Sequence, residues 1–234
     1  MKIKFRDIGN ILLDRISILA LRGRKFLQVN FGLTHNYHPD PFKKRLKHDP
    51  RASYQRFDAM FSALSDIDKP SVIDIGCHQG FFTFKFAEKG GICMGFDNDR
   101  AELLVARARS SINKVNNVAF LEMYINPKNI TSFPNADIVV FMSVFHHWVR
   151  YFGKDDAIEM FRILSEKAIE GIVFDSGQFE ENTSWSPLLD FMSPSSTNWI
   201  EKQLKKFGFK KITKVGEFET SLSNIPRTLF VARR

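Results

Sequence analysis

The chain has 234 residues, of which 44% are hydrophobic and 26% charged, and its formal net charge is +8. This length and composition are typical of one globular domain with an extension, large enough to bury most of its apolar surface. The two cysteines exclude a disulfide-stabilised scaffold and indicate a reducing compartment.

The first 50 residues are predicted to form a basic amphipathic helical arm followed by a linker. Residues 1–56 hold 13 Lys and Arg against 4 Asp, so the rest of the chain sums to −1. Apolar residues recur at helical spacing between Ile3 and Ala20, with basic residues around them. Two interpretations are open: residues 1–25 contact an anionic membrane peripherally, or they pack on the following domain. The apolar run Ile16–Leu21 is too short to span a bilayer and does not resemble a secretory signal.

A helix is predicted over Arg51–Leu64, before the stretch around which the chain is organised. The run Val72–Ile75 is β-branched apart from Asp74, which is typical of a strand buried in a parallel sheet. The turn Gly76–Gly80 lets the backbone come close to a ligand, and the helix that begins at Phe81 offers free N–H groups to an anionic group. This arrangement predicts a cofactor site.

The second strand, Gly91–Phe96, ends at Asp97. This carboxylate lies about twenty residues beyond Gly76, where an acidic residue at a strand end binds a ribose diol. The loop departs from the pattern G-x-G-x-x-G, because His78 stands where many such loops carry a middle glycine. Histidine tolerates positive φ, so His78 is predicted to hold the turn.

Later segments alternate apolar strands with helices, and many of the 24 phenylalanines are predicted to form an aromatic-rich core. The predicted elements are a helix (Ala101–Ile112), two strands (Val118–Leu121 and Asp137–Met142), a helix (Asp155–Ile169), a strand (Ile172–Phe174), a helix (Asn198–Phe207) and a strand pair (Lys211–Phe218 and Arg227–Ala232). The count of predicted strands is therefore seven.

A functional turn is predicted at Ser143–Arg150, because functional groups collect beyond the carboxyl ends of the strands in a doubly wound sheet. It contains the adjacent His146 and His147. The sequence offers no CxxC and no H-x-x-x-H, so no metal site is predicted. The polar stretch Asp175–Pro194 follows the next strand and is predicted to cover the substrate.

The string Asp74-Ile-Gly-Cys-His-Gln-Gly-Phe-Phe-Thr83, followed by Gly95-Phe-Asp-Asn-Asp99, resembles motif I and its acidic successor in class I S-adenosylmethionine-dependent methyltransferases. The resemblance covers most of 71–234. G-C-x-x-G-F-F together with Ser143-Val-Phe-His-His-Trp148 is similar to the methyltransferase half of bacterial O-antigen chain-terminating methyltransferase/kinases, and more weakly to RNA enzymes that methylate a terminal phosphate.

The resemblance implies an α/β fold: a Rossmann-like, mostly parallel seven-stranded sheet with an antiparallel C-terminal hairpin. The predicted domains are 1–50, the arm and linker, and 51–234, the methyltransferase domain. The implied cofactor is S-adenosylmethionine. The predicted cofactor-binding residues are Asp74, Gly76, Cys77, His78, Gly80, Phe81, Asp97, Asn98, Met123, Tyr124 and Ser143.

The implied activity is O-methylation of a saccharide hydroxyl or terminal phosphate of a surface glycan, in the cytoplasm, with peripheral contact on the inner face of the membrane. A hydroxyl must lose a proton during attack, so His146 or His147 is the candidate catalytic base. A phosphate is already anionic and needs cationic partners instead. Trp148, Arg150 and Arg56, with Arg51 as an alternative cation, are the candidate acceptor-binding residues.

Two other functions are open. The basic arm suggests an RNA methyltransferase acting on a terminal phosphate or on tRNA, with nucleic acid as the second choice because the arm lacks interleaved aromatic residues. The other is a non-catalytic nucleoside-binding protein of the same fold, with His78 as the defect. The joint presence of Asp74, Gly76, Gly80 and Asp97 favours the enzyme.

Overall fold

The computed structural model describes residues 38–43, 49, 51–220 and 223–234. The predicted arm, residues 1–25, lies outside this part of the chain. The described helices are α1 (Ser53–Ser62), α2 (Phe81–Glu88), α3 (Arg100–Ile112), α4 (Phe145–Phe152), α5 (Lys154–Lys167) and α6 (Ser196–Lys206), with short 3-10 helices at Ile130–Ser132 and Ser186–Met192. The described strands are β1 (Ser71–Ile75), β2 (Ile92–Asp97), β3 (Val118–Glu122), β4 (Ala136–Met142), β5 (Ala168–Asp175), β6 (Lys211–Thr220) and β7 (Ser223–Arg233).

The described strands form one sheet in the order β3-β2-β1-β4-β5-β7-β6. Strands β1 to β5 pair in parallel, whereas β7 is antiparallel to both β5 and β6. The predicted fold class is therefore confirmed. Because the parallel strands end at one edge, the loops after β1, β2, β4 and β5 meet there.

Side chains of the central strands alternate between two buried layers, as the period of two in a strand requires. Val72, Ile138 and Val140 pack with α1 and α2 on one face. Ile73, Val139 and Phe141 pack with α4, α5 and α6 on the other face. Each fully buried large apolar side chain contributes about 1.5–3 kcal/mol.

The predicted aromatic-rich core is confirmed in the second of these layers. The rings of Phe161 and Phe174 stack with centroids 4.3 Å apart, and Phe141 lies 5.4 Å from Phe174. Phe141, Phe145, Phe161 and Phe174 are all fully buried.

One segment was predicted wrongly. Residues 143–150 were expected to form a turn, but most of them belong to helix α4. Phe145, Trp148, Val149 and Phe152 follow the i, i+3, i+4, i+7 spacing of an amphipathic helix, and the first three are buried. The helical spacing of these apolar residues was hard to recognise because the helix has only eight residues and is followed directly by Gly153.

The boundary between α5 and β5 also differs from the prediction. The helix was expected to continue to Ile169, but β5 already begins at Ala168, which pairs with Ala136 of β4. Strand pairing here outweighs the helical spacing of the apolar residues.

Residues 38–43 pack on the domain that follows them. The ring of His38 stacks on Phe81 with centroids 5.6 Å apart, and its Nδ1 lies 2.8 Å from Oγ of Ser53. The hydroxyl of Tyr54 donates hydrogen bonds to the carbonyls of Asp40 and Lys43, at 3.4 and 3.3 Å. These contacts bring His38 to the carboxyl edge of the sheet.

Candidate functional site

A cavity of about 380 Å³ lies at the carboxyl edge of the sheet. Its walls come from the loops after β1, β2, β3 and β4, from the ends of β5 and β6, from α4, and from residues at and before α1. Small-molecule sites have volumes of about 300–1,000 Å³, so this cavity is large enough for one ligand of drug size.

The loop after β1 forms one wall of the cavity and adopts an unusual backbone conformation. Gly76, His78 and Gly80 all have positive φ, at 71°, 51° and 78°. The prediction that His78 holds the turn in this conformation is confirmed. At Gly76 a Cβ atom would lie only 2.4 Å from Cγ2 of Val144, so a larger residue would also displace the chain before α4.

Asp97 is fixed at the end of β2 by hydrogen bonds from the backbone. Its Oδ2 accepts the N–H of His78 at 2.7 Å, and its Oδ1 accepts the N–H of Asp99 at 2.9 Å. The half-buried carboxylate faces the cavity together with the exposed Asn98. Each carboxylate oxygen retains acceptor capacity, so Asp97 can accept hydrogen bonds from two hydroxyl groups of a ligand.

Asp74 is a buried carboxyl group beneath the same loop, and its Oδ2 accepts a hydrogen bond from the hydroxyl of Thr83 at 2.6 Å. Burial raises the pKa of Asp74 to about 7, the hydrogen bond from Thr83 opposes this shift, and the charge of Asp97 adds to it. The group therefore changes protonation state near neutral pH.

Helix α4 forms a second wall of the cavity. His147, Trp148, Tyr151 and Phe152 line the cavity, and His147 is exposed to it. Partial burial lowers the pKa of His147, and the positive charges of Arg150 and Arg227 lower it further. His147 is therefore mostly neutral near pH 7 and can accept a proton.

His146 occupies a different environment, behind the cavity wall. It is buried, its Nδ1 accepts the N–H of Gly177 at 3.1 Å, and its ring lies 4.8 Å from that of Trp185. Burial holds the pKa of His146 well below the usual histidine value, and the charges of His147 and Arg227 lower this pKa further. A neutral His146 with Nδ1 as acceptor carries its proton on Nε2.

A buried polar network lies beneath the ends of β4 and β5. Arg56 of α1 forms an ion pair with the fully buried Asp175. Oδ1 of Asp175 accepts hydrogen bonds from the N–H and the hydroxyl of Ser143, at 2.8 and 3.0 Å. Arg227 donates to Oγ of Ser143 at 3.2 Å and forms a bidentate pair with Glu181. The network fixes Ser143, whose φ is +56°, at the cavity wall.

Basic side chains gather at another part of the cavity wall, where His38, Arg51, Arg56 and His78 all lie. Burial holds the pKa of His38 well below its usual value, and the charges of His78, Arg51 and Arg56 lower this pKa further. This basic corner joins residues of the linker, of α1 and of the β1 loop. It could bind an anionic group.

The structure brings most of the predicted site residues together around one cavity. The predicted residues that line it are Arg56, Asp74, Gly76, Cys77, His78, Asp97, Asn98, Met123, Tyr124, Ser143, His147 and Trp148. Gly80 immediately precedes α2 and Phe81 is buried in the core. His146 lies behind the wall, and Arg150 is exposed beside Tyr151. The binding and catalytic roles of all these residues remain predictions.

Several cavity residues were not recognised in the sequence, among them His38, Tyr151, Phe152, Asp175 and Glu219. A signal existed for two of them. With 143–150 interpreted as a helix, residues 147, 148, 151 and 152 would have been placed on one face. No local pattern marks His38 or Glu219, because only packing of distant segments brings them to the cavity.

Within the described ranges, no three His, Cys, Asp or Glu side chains are placed to hold a metal ion. Cys77 and Cys93 are both free thiols and buried. No described helix is both long enough and apolar enough to cross a membrane.

Comparison with known proteins identifies relatives of this chain. Residues 67–172 match the family described as a methyltransferase domain. Two curated relatives from Escherichia coli, both O-antigen chain terminator bifunctional methyltransferase/kinases WbdD, are 29% identical over 167 residues. The match covers 69% of this chain but only 22% of each relative.

Solved structures show the same likeness. A crystal structure of WbdD aligns with a TM-score of 0.62 and 25% identity, covering 76% of this chain and 38% of that one. EvdMO1 (TM-score 0.60, 17% identity, 90% of this chain and 47% of that one) shares the fold. So does magnesium protoporphyrin IX methyltransferase from Synechocystis PCC 6803 with bound SAM (TM-score 0.57, 18% identity, 78% and 80%). These matches confirm the predicted relationship to methyltransferases and to the methyltransferase part of WbdD.

Proposed function

We propose that this chain, which carries a methyltransferase domain related to that of WbdD, is an S-adenosylmethionine-dependent O-methyltransferase. Its acceptor is a saccharide hydroxyl or a terminal phosphate of a surface glycan. One observation carries the proposal: residues of the Gly76–Gly80 loop, Asp97, His147 and Trp148 all line the same cavity. The choice of a glycan is supported by the relatives, which are named O-antigen chain terminators.

The residues at the cavity fit the cofactor. Asp97 offers a fixed carboxylate to ribose hydroxyls, and the β1 loop comes close to the cavity with its backbone. Met123 and Tyr124 supply apolar surface for the adenine. When bound, S-adenosylmethionine supplies a methyl group activated by its sulfonium. A solved neighbour of the same fold contains this cofactor.

For a hydroxyl acceptor, His147 is the catalytic base. It lines the cavity, and its lowered pKa keeps it able to accept the hydroxyl proton at neutral pH. Trp148, a buried residue of the same cavity wall, excludes water from the reacting oxygen. Ser143, held by Asp175, fixes the neighbouring wall.

For a phosphate acceptor, no base is needed, and the basic corner provides the binding energy. Arg51 lies at this corner and can donate hydrogen bonds to an anionic oxygen, whereas Nε2 of His78 lies 3.5 Å from Oε2 of Glu102. The charge of Arg56 is already balanced by Asp175, so Arg56 holds the corner together more than it attracts the acceptor. Arg150 lies outside this corner, exposed on α4.

The proposed partners and location follow from the same activity. The acceptor is a glycan or phosphoglycan, and the enzyme works in the cytoplasm at the inner face of the membrane. Contact with the anionic membrane is assigned to residues 1–25, which lie outside the described residues.

A transfer screen tests the proposal. The purified full-length chain is incubated with S-adenosylmethionine carrying a tritiated methyl group and with lipid-linked glycans, phosphoglycans or RNA. We expect label in a glycan or phosphoglycan, and cold aqueous hydrofluoric acid, which cleaves phosphodiesters but leaves methyl ethers intact, distinguishes the two products. Label in RNA alone would refute the choice of acceptor. Cofactor binding by calorimetry with no transfer to any acceptor would indicate a non-catalytic nucleoside-binding protein.

A further inference from the structure

Two exposed tyrosines stand at the mouth of the cavity. Tyr124 is 54% exposed and Tyr151 is 64% exposed, although both line the cavity. Single exposed apolar residues are ordinary on protein surfaces. In the described part of the chain, however, the other exposed large hydrophobic side chains lie away from this cavity. The mouth therefore carries a concentration of exposed aromatic surface.

The aromatic residues of α4 lead from the inside of the cavity to its mouth. Trp148 is buried, Phe152 is half-buried, and Tyr151 is exposed in the last turn before Gly153. Phe152 also contacts Tyr124, with ring centroids 5.9 Å apart, which joins the two sides of the mouth. The wall formed by α4 is thus continuous from His147 outward to Tyr151.

The size of the cavity decides what this outer surface can contact. A volume of about 380 Å³ is near the lower end of the range for small-molecule sites, about 300–1,000 Å³. It can hold the cofactor and the reacting end of an acceptor. The remaining part of a longer acceptor must leave through the mouth and pass over the exposed ring of Tyr151.

We propose that Tyr151 determines acceptor specificity by stacking on a pyranose ring of the saccharide next to the methylated end. The inference rests on the proposed function and specifies the part of the acceptor that is recognised outside the cavity. The C–H face of a pyranose is apolar and packs on an aromatic ring, while its hydroxyl groups stay in water. The guanidinium of Arg150 lies over one face of the Tyr151 ring, 5.9 Å from its centroid, so the pyranose stacks on the other face.

A nucleic-acid base could also stack on a tyrosine, but the charge of the domain favours a saccharide. Nucleic-acid binding domains carry a basic footprint for the phosphates. Residues 51–234, the predicted methyltransferase domain, hold 23 Lys and Arg against 22 Asp and Glu, which is a net charge of only +1. Binding of RNA instead of a saccharide is therefore one of the outcomes that the following test distinguishes.

Ligand-observed NMR tests the binding surface without requiring methyl transfer. Saturation-transfer spectra are recorded for methyl hexopyranosides and for short RNA oligonucleotides with the full-length protein and S-adenosylhomocysteine. We expect glycoside signals with the native protein, similar signals with Tyr151→Phe, and a loss of most signal with Tyr151→Ala. Leu188→Ala is the matched control, because Leu188 is also exposed but lies away from the cavity. Glycoside signals that are absent, or unchanged in Tyr151→Ala, would overturn the inference, as would a response to RNA alone.

Kinetics with the acceptor found in the transfer screen provide the second measurement. Tyr151→Ala should raise the acceptor KM by roughly tenfold, which corresponds to about 1.4 kcal/mol, and should change kcat less than twofold. Tyr151→Phe should restore the KM. Binding of glycosides through Tyr151 without any methyl transfer would refute the proposed function but not this inference. Methyl transfer with an unchanged KM in Tyr151→Ala would refute only this inference.

Discussion

The two adjacent histidines of α4 have different environments, although the sequence makes them equivalent. His147 is exposed to the cavity, whereas His146 is buried and accepts a hydrogen bond from the backbone of Gly177. A base must reach the proton that it removes, so His147 is the better candidate. His146 supports the chain after β5 instead.

The first prediction separates these two roles. For a hydroxyl acceptor, His147→Gln should lower kcat by about a hundredfold or more. In the native enzyme, kcat should fall as pH drops through the pKa of His147, because the protonated ring cannot accept a proton. That pKa is lowered, so the fall lies below pH 6.5. The pH profile of His147→Gln should lack this fall.

His146→Gln is the matched control for the first prediction. It should keep the acid fall of the profile and lower the melting temperature, because the buried N–H of Gly177 loses its acceptor. For a phosphate acceptor, His147→Gln should mainly raise the acceptor KM. An acid fall that persists in His147→Gln would show that another group is the base.

The second prediction concerns the carboxylate at the end of β2. Asp97→Asn should weaken binding of S-adenosylhomocysteine at least tenfold, because it removes a charged acceptor held by the backbone of His78 and Asp99. Isothermal titration calorimetry measures the affinity. Asp99→Asn is the control. Asp99 is the exposed N-cap residue that precedes α3, and asparagine is an equally good N-cap residue. Unchanged affinity in Asp97→Asn, with the circular dichroism spectrum intact, would contradict the assignment.

The placement of Asp97 and of the Gly76–Gly80 loop could be predicted because both depend on local order along the chain. A strand, a glycine turn, a helix and a second strand fix their relative positions within about twenty-five residues. The placement of His38 depends instead on packing against Phe81, 43 residues away, so no spacing reveals it. Tyr151 was missed because 143–150 was interpreted as a turn.

At the scale of elements, α1 is joined to the sheet by an ion pair that the sequence does not indicate. The partners Arg56 and Asp175 are 119 residues apart, and both are buried. A buried pair is costly to form but much more costly to break, since one partner is left as an uncompensated charge.

The third prediction follows from this asymmetry. Arg56→Met should lower the free energy of unfolding by about 3–5 kcal/mol, because Asp175 stays buried beside Ser143 without its counter-ion. Urea denaturation measures the loss. The double variant Arg56→Met/Asp175→Asn should lose less than the sum of the two single variants.

Arg162→Met of α5 is the matched control for the third prediction. Arg162 pairs with Glu159 and Glu166 on the surface, where solvent screens the charges, so its replacement should lower the free energy of unfolding much less than Arg56→Met does. Equal losses for Arg56→Met and Arg162→Met, or strictly additive losses in the double variant, would show that the buried pair does not join α1 to β5.

At the scale of the whole molecule, the fold class could be predicted but the register of the strands could not. Seven apolar runs separated by helices indicate a wound sheet, and the resemblance of its motifs supplied the C-terminal hairpin. Strand limits were less certain, because β6 and β7 extend beyond their apolar parts to Thr220 and back to Ser223. This extension places Glu219 and Thr220 at the cavity, which no local pattern in the sequence indicates.

The distribution of charge over the molecule leads to the last prediction. Residues 1–56 hold a net charge of +9, and the remainder sums to −1. A short apolar stripe with basic flanks should attach reversibly to an anionic bilayer, at about 1 kcal/mol for each basic residue near the surface. Such attachment should weaken with salt, because the Debye length falls to about 8 Å at 0.15 M.

Co-sedimentation of the full-length protein with anionic vesicles measures this attachment. The triple variant Arg22→Glu/Arg24→Glu/Lys25→Glu should move the protein to the supernatant, because reversing three charges replaces attraction by repulsion. The control is Lys202→Glu/Lys205→Glu/Lys206→Glu, which changes the net charge equally at exposed positions of α6. If both triple variants lose binding equally, the net charge of the whole molecule, and not the charge of residues 1–25, attracts the protein to the vesicles. If the native protein stays in the supernatant at low salt, residues 1–25 do not attach to the membrane and packing on the domain becomes the better interpretation.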